Sequence, residues 1–425
     1  MQGPEHASTV STKTSNKTKK PKKTKPKTKK VSSKTSTKTT TLPTPTTSSK
    51  PPTATAPPTS PTQTANPAVC PTSSNGQYTF CAQPAFTDEF DTFDLSKWKH
   101  EITMSGGGNW EFEWYTNNRT NSFVKDGLLY LKPTLTSDNI GEDAVSGKTP
   151  FTMDINGAEN GVHCTDPSFY GCSRGSDAGA GHIINPIQSA RISTFNSFSM
   201  RYGRVEVKAQ IPSGDWIWPA IWMMPKYASY GNWPSSGEID IMESRGNKPD
   251  AAYPGQGTET FGSTLHWGPS YQYNGWAQTH KDRSLPSGQS FADGLHVYGL
   301  EWTPEYIKTY VDTPDNVVLN VPFSADGSFW NKGVTKAGFP ATFNNPWQAP
   351  SCPAAAPFDQ EFYIILNVAV GGTNDFFAER PNKPWKAGSS TAAADFWKNR
   401  AQWLPTWKGD NVAMKVDSVK AWKLC

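Results

Sequence analysis

Three carboxylates stand close together in the stretch "SSGEIDIMES": Glu238, Asp240 and Glu243. Strand side chains alternate faces with period two, so Glu238 and Asp240 share one face and Ile239 and Ile241 the other. Glu243 falls one step out of phase. A helix would turn Glu238 well away from Asp240, and the isoleucines and the preceding Pro-Ser-Ser-Gly turn favour a strand. Burying Glu243 without a partner, on the face opposite the other acids, would cost on the order of several kcal/mol. A one-residue bulge at Met242 resets the phase and returns Glu243 to the acidic face. Two glutamates flanking a bond can serve as nucleophile and proton donor in glycoside hydrolysis, their roles separated by surroundings that split their pKa values. An aspartate between them hydrogen-bonds the nucleophile, and its charge keeps the donor protonated. A metal cluster, or an acidic strand facing solvent, would use the same residue types.

The neighbours narrow the choice. Upstream, "GDWIWPAIWMMP" crowds Trp216, Trp218 and Trp222 into a Pro-interrupted segment. Sugar rings stack their apolar CH faces on such aromatics, although each tryptophan could equally be core. Downstream, "STLHWGPS" supplies His266 and Trp267; a lone histidine is more often structural than catalytic. No Walker loop, dinucleotide fingerprint or Ser-His-Asp set with usable spacing is present.

Short alternating segments must position these residues. From about Phe86 the chain is rich in Trp, Tyr, Phe and Gly. In "GRVEVKAQI", Val205, Val207 and Ala209 alternate with Arg204, Glu206, Lys208 and Gln210. "EYIKTYVDT", "EFYIILNVAV" and "AMKVDSVKAWKL" read as further strands. The best helical pattern is 391–404. Long loops are expected over 140–190 and 325–360. Many short strands with Gly/Pro/Asn/Asp turns predict one large sandwich or barrel over 86–425.

The first 66 residues differ sharply. They are Lys, Thr, Ser and Pro, which cannot bury a core, and they read as a disordered tail or stalk. Thirteen of the 41 basic residues lie in 1–65, all Lys, against one of the 37 acids, Glu5. The remainder therefore holds 28 basic and 36 acidic residues, a formal charge of −8. A basic tail on an acidic body argues against a nucleic-acid-binding domain, which would carry its cations on a folded face. The tail suits contact with a cell wall or acidic polymer, holding the body off a surface. Residues 67–85 read as a Cys-containing linker packed on the domain. No apolar run is long enough for a membrane span. The start, "MQGPEHASTV", lacks the apolar region of a secretory signal. Six cysteines without a C-x-x-C pair, and sequons at Asn16 and Asn118, nevertheless favour disulfides and an oxidising compartment. A secreted or wall-associated protein whose signal is missing from this sequence is expected. Cys164 and Cys172 would close a turn-rich loop, and Cys70 and Cys81 are candidates for a second, although six cysteines allow about 15 pairings.

"GEIDIME" resembles the E-[IL]-D-[IVAF]-x-E signature of family 16 glycoside hydrolases, in the inserted form of laminarinases and lichenases. "FDTFDLSKW", "GGGNWEFEWYTNNRTNSFVKDGLLYLKP", "RYGRVEVKAQIPSGDWIWPAIWMMP", "LHVYGLEWTPEYIKTYVD" and "FYIILNVAVGG" follow in the family's order. The resemblance runs from Phe86 to the C-terminus and is greatest to endo-β-1,3-glucanases and β-1,3-glucan recognition proteins. It implies an all-β, concanavalin-like jelly roll of two curved antiparallel sheets, and a retaining double displacement. Glu238 would be the nucleophile, Asp240 its partner and Glu243 the acid/base, with carboxyls about 5–5.5 Å apart. Trp218 and Trp222 would line sugar subsites and His266 would sit beside the acid/base. Asn109, Arg204 and Asn367 match substrate-contacting positions. A β-1,3-glucan, or a mixed β-1,3-1,4-glucan, is the implied partner of a monomer that needs no cofactor. The family often carries a structural calcium, but no oxygen-rich loop here lets one be placed. Relatives that only bind glucan often lack a catalytic acid; this chain keeps all three, which favours a hydrolase. A non-catalytic glucan-binding protein and a glucan transglycosylase are the alternatives.

Overall fold

A computed structural model describes residues 70, 78–156, 163–348, 350 and 352–425. The stalk expected over 1–66 and much of the linker at 67–85 lie outside the described residues.

Two antiparallel sheets form the body. One carries the acids, with strands in the order His280–Ser284, Thr260–His266, Glu238–Ser244, Ile217–Pro225, Phe362–Val370, Arg191–Ser193 and Lys99–His100. The other runs Val317–Pro322, Tyr306–Val311, His296–Trp302, Gly203–Gln210, Met414–Trp422, Leu128–Leu131 and Ser122–Lys125, with Phe86–Asp88 beside Met414–Trp422. Alternation dictates what faces inward: Val205, Val207 and Ala209 from one sheet join Ile221, Met223, Ile239 and Leu265 from the other in one buried core. The expected jelly-roll sandwich is the fold.

The helical pattern at 391–404 folds as two short helices, Ala392–Lys398 and Arg400–Trp403, parted at Asn399. Another helix, Phe329–Lys336, interrupts what the sequence presents as a loop. The hydroxyl of Ser328 caps it by accepting from the Asn331 N–H. Gly333 hides it from pattern reading, because glycine weakens a helix. It is there because a Cβ would come within 2.1 Å of the Phe339 ring.

The disulfides correct one expectation. Cys164 pairs with Cys172, but Cys70 and Cys81 do not pair with each other. Cys70 bonds Cys352, and Cys81 bonds the terminal Cys425. The reason is the local ladder: Phe80 bridges Leu424 and the Cys81 N–H donates to the Lys423 carbonyl, which lays residue 81 alongside the last strand. A bond spanning 344 residues removes much entropy from the unfolded chain. Replacing Cys81 and Cys425 together by serine is expected to cost about 2–5 kcal/mol, read as a lower midpoint in denaturant titration. Among the described residues no helix is long and apolar enough to cross a membrane.

Candidate active site

The acidic strand breaks its ladder where its phase required. Against Thr260–His266, Asp240 pairs with Thr264 and Glu243 with Gly262, so Ile241 and Met242 together oppose Ser263. Against Ile217–Pro225, Asp240 pairs with Trp222 and Met242 with Ile221, which makes Ile241 the extra residue on that side. Both bulge residues point into the core, at 1% and 0% exposure. The Ser263 hydroxyl donates to the Ile241 carbonyl at 2.7 Å, and Thr309 of the opposite sheet donates to Ser263 at 2.9 Å. This buried hydroxyl pair props the bulge from beneath; nothing in the sequence spacing announced it.

Each acid receives different company. Glu238 and Glu243 are partly exposed and Asp240 is buried. Trp233 donates its indole N–H to Glu238 at 2.5 Å, and Trp218 donates to Glu243 at 3.0 Å. His266 faces Asp240, with Nε2 3.2 Å from Oδ2, an ion-pair distance without the alignment of a good hydrogen bond. The Asn274 amide lies 2.8 Å from Nδ1 and fixes the ring. Burial raises the pKa of Glu243, and the charge of Glu238 adds to it; His266, Trp218 and Arg245 pull the other way. Burial, then Glu238 and Glu243, holds Asp240 well above the usual aspartate range. Burial disfavours a charged His266, but Glu238, Asp240 and Glu243 outweigh it and raise its pKa to about 9. All three shifts favour the protonated form of these groups.

The expected aromatics divide. Trp218 is only 7% exposed, because Phe376 stacks on it at 3.8 Å with planes 8° apart. This corrects the expectation of a sugar platform: its face is covered and its N–H edge holds Glu243. Trp222 is partly exposed, with the Arg191 guanidinium 4.5 Å from its ring centroid. It donates to Asn367 at 2.7 Å, which in turn donates to the Tyr115 hydroxyl at 3.1 Å. Asn367 thus reaches the site through Trp222. Asn109 is engaged within its own rim, donating to Glu111 at 3.1 Å and accepting from Asn374 at 3.0 Å. Arg204 is not brought to the site. Its strand belongs to the other sheet, its inward neighbours are core, and its guanidinium lies over Trp422 at 4.2 Å.

Two contributors were missed. Trp233 and Tyr271, both exposed, sit 5.9 Å apart, and the Trp233 ring lies 5.6 Å from that of His266. Trp233 is five residues before Glu238, in the turn leading into the strand, and that proximity was the available signal. Glu238, Asp240 and His266 also bring ligand atoms within 4.8 Å of one another, the one such trio among the described residues. Calcium prefers six to eight oxygens, so this histidine-bearing trio does not suit it.

The profile described as Glycosyl hydrolases family 16 matches residues 177–322, which include all three acids. The chain is 49% identical over 347 residues to the "Beta-1,3-glucan-binding protein" of Penaeus monodon, spanning 80% of this chain and 90% of that protein. It is 33% identical over 300 residues to "Glucan endo-1,3-beta-glucosidase A1" of Niallia circulans, covering 68% of this chain and 34% of that longer protein. Among solved structures, the laminarinase from Rhodothermus marinus aligns with a TM-score of 0.47 at 25% identity, covering 82% of this chain and 99% of that one. Near-half identity across nine-tenths of the shrimp protein, with the profile falling on the strands that hold the acids, makes this chain a member of glycosyl hydrolases family 16.

Proposed function

We propose that this protein is a secreted, endo-acting hydrolase of β-1,3-glucan that retains anomeric configuration. The observation that carries the reading is the bulged strand, which gives Glu238 and Glu243 separate N–H donors with Asp240 between them. Glu243, with its raised pKa, donates its proton to the glycosidic oxygen as the Glu238 carboxylate attacks the anomeric carbon. The C–O bond breaks and a glycosyl ester forms on Glu238. Water then attacks that carbon, gives its proton to Glu243, and releases Glu238 as carboxylate. Asp240 and His266 tune the charge beside the nucleophile.

The names of the relatives support glucan as the substrate class, and the disulfides support secretion. A second reading, glucan binding without cleavage, draws on the names of the Penaeus monodon relative and of several others that are likewise called β-1,3-glucan-binding proteins. Reducing-sugar release from laminarin separates the two. Binding without sugar release would establish the second reading, and lengthened products would reveal transfer to sugar acceptors. A product profile on laminarin against lichenan sets the linkage preference.

Trp218→Phe should keep the stack on Phe376 but remove the donor that lowers the pKa of Glu243. Glu243 then keeps its proton to higher pH, so the basic limb of kcat/KM should move upward. A pH–rate profile with an unmoved basic limb would contradict the Trp218–Glu243 coupling.

A further inference from the structure

Three exposed aromatics gather on two loops: Trp110 at 45% exposure, Phe169 at 52% and Tyr170 at 73%. The rings of Trp110 and Phe169 meet edge to face, centroids 5.5 Å apart. All three residues take left-handed backbone angles, with φ of 52°, 51° and 63°. Bulky side chains avoid that region unless surrounding structure enforces it. Here the enforcement is visible. The Cys164–Cys172 bond closes the loop carrying Phe169 and Tyr170. Arg174 donates to the Phe169 carbonyl at 2.9 Å, and Thr103 donates to the Asp166 carbonyl at 2.7 Å. Gly171 is packed so closely that a Cβ would lie 2.2 Å from the Asp166 carbonyl. The loop is thus clamped in a strained path that leaves its two largest apolar side chains bare.

The patch adjoins the site. Trp110 follows Asn109, whose carbonyl accepts from the Thr373 N–H at 2.7 Å. That carbonyl and the Trp218 ring flank Gly372, lying 3.4 and 3.8 Å from where its Cβ would be. Trp218 in turn holds Glu243. The loop bearing Trp110, with Phe169 against its ring, is thus joined through Gly372 and Trp218 to Glu243.

We infer that Trp110, Phe169 and Tyr170 form an accessory platform on which a β-glucan chain stacks the CH faces of its sugar rings outside the catalytic centre. This rests on the glucan reading above. Rigid aromatics held bare contribute contact at low cost in conformational entropy, and a polysaccharide long enough to leave the cleft offers matching apolar faces.

The test uses glycine at two of the positions, since glycine accepts positive φ and preserves the loop path. In a Glu238→Gln background, Trp110→Gly/Tyr170→Gly should bind insoluble β-1,3-glucan about tenfold more weakly, measured by depletion from solution. With Glu238 intact, the same pair should hydrolyse laminaritriose within about twofold of wild type, because catalysis does not use these rings. Equal polymer binding with and without the rings would overturn the platform alone. A Glu238→Gln parent that binds no glucan would overturn the platform and the functional reading together. A wild-type dimer that becomes monomeric in the glycine variant, by light scattering, would show that the patch serves a second copy and would also overturn the proposal. If the double variant does not fold, Tyr170→Gly alone carries the same comparison.

Discussion

Glu238→Gln is expected to lower turnover on laminarin by about 10⁴-fold or more while leaving the melting temperature near wild type. The substitution conserves shape, the residue is partly exposed, and an amide oxygen can still accept the Trp233 N–H. It lacks the charged oxygen that the proposed mechanism bonds to the anomeric carbon. A loss of 10⁴ corresponds to about 5.5 kcal/mol of transition-state stabilisation, more than one neutral hydrogen bond supplies. The small variant Glu238→Ala adds a sharper readout. Azide can enter the vacated space and attack directly, so a β-linked substrate with a good leaving group should yield the inverted α-azide. Turnover at the wild-type rate in Glu238→Gln would remove the nucleophile assignment altogether.

Removing the proposed acid/base should have the second-largest effect, and its size should depend on the leaving group. Glu243→Ala is expected to lose about 10³-fold or more on laminarin, whose departing sugar needs a proton, and far less on an activated aryl glycoside. The glycosyl ester on Glu238 should then persist, because no base remains to deprotonate water. Azide needs no such base, and should release the sugar as the β-azide with configuration retained. The pair of azide products, one inverted and one retained, distinguishes the two glutamates by stereochemistry. A β-azide from Glu238→Ala would exchange the roles assigned here. The basic limb of the pH profile, attributed to loss of the Glu243 proton, should also vanish in Glu243→Ala.

How much of this was legible in the sequence depended on whether the cause was local. The acid alternation and the need for a bulge followed from period two along one strand. The inward face of "GRVEVKAQI" was equally plain, but which sheet the strand joined was not, so nothing in the sequence checked the place at the site that the family resemblance implied for Arg204. Trp218 and Trp222 share a segment, yet their fates diverge through residues far along the chain. Phe376 covers the first, while the second carries the Arg191 guanidinium on its ring and stays partly exposed. The pairing of Cys70 with Cys352 and Cys81 with Cys425 is likewise fixed by non-local ladders. The prop of Ser263 and Thr309 joins opposite sheets, so no spacing rule reports it.

The bond between Cys81 and Cys425 makes a covalent ring of everything from the first of these residues to the last. A protease that nicks one exposed turn within the ring produces a single opened circle rather than two fragments. The severed ends stay tethered to the same body, and closure of the sandwich remains unimolecular. Nicked and intact protein should co-migrate by mass until reductant is added.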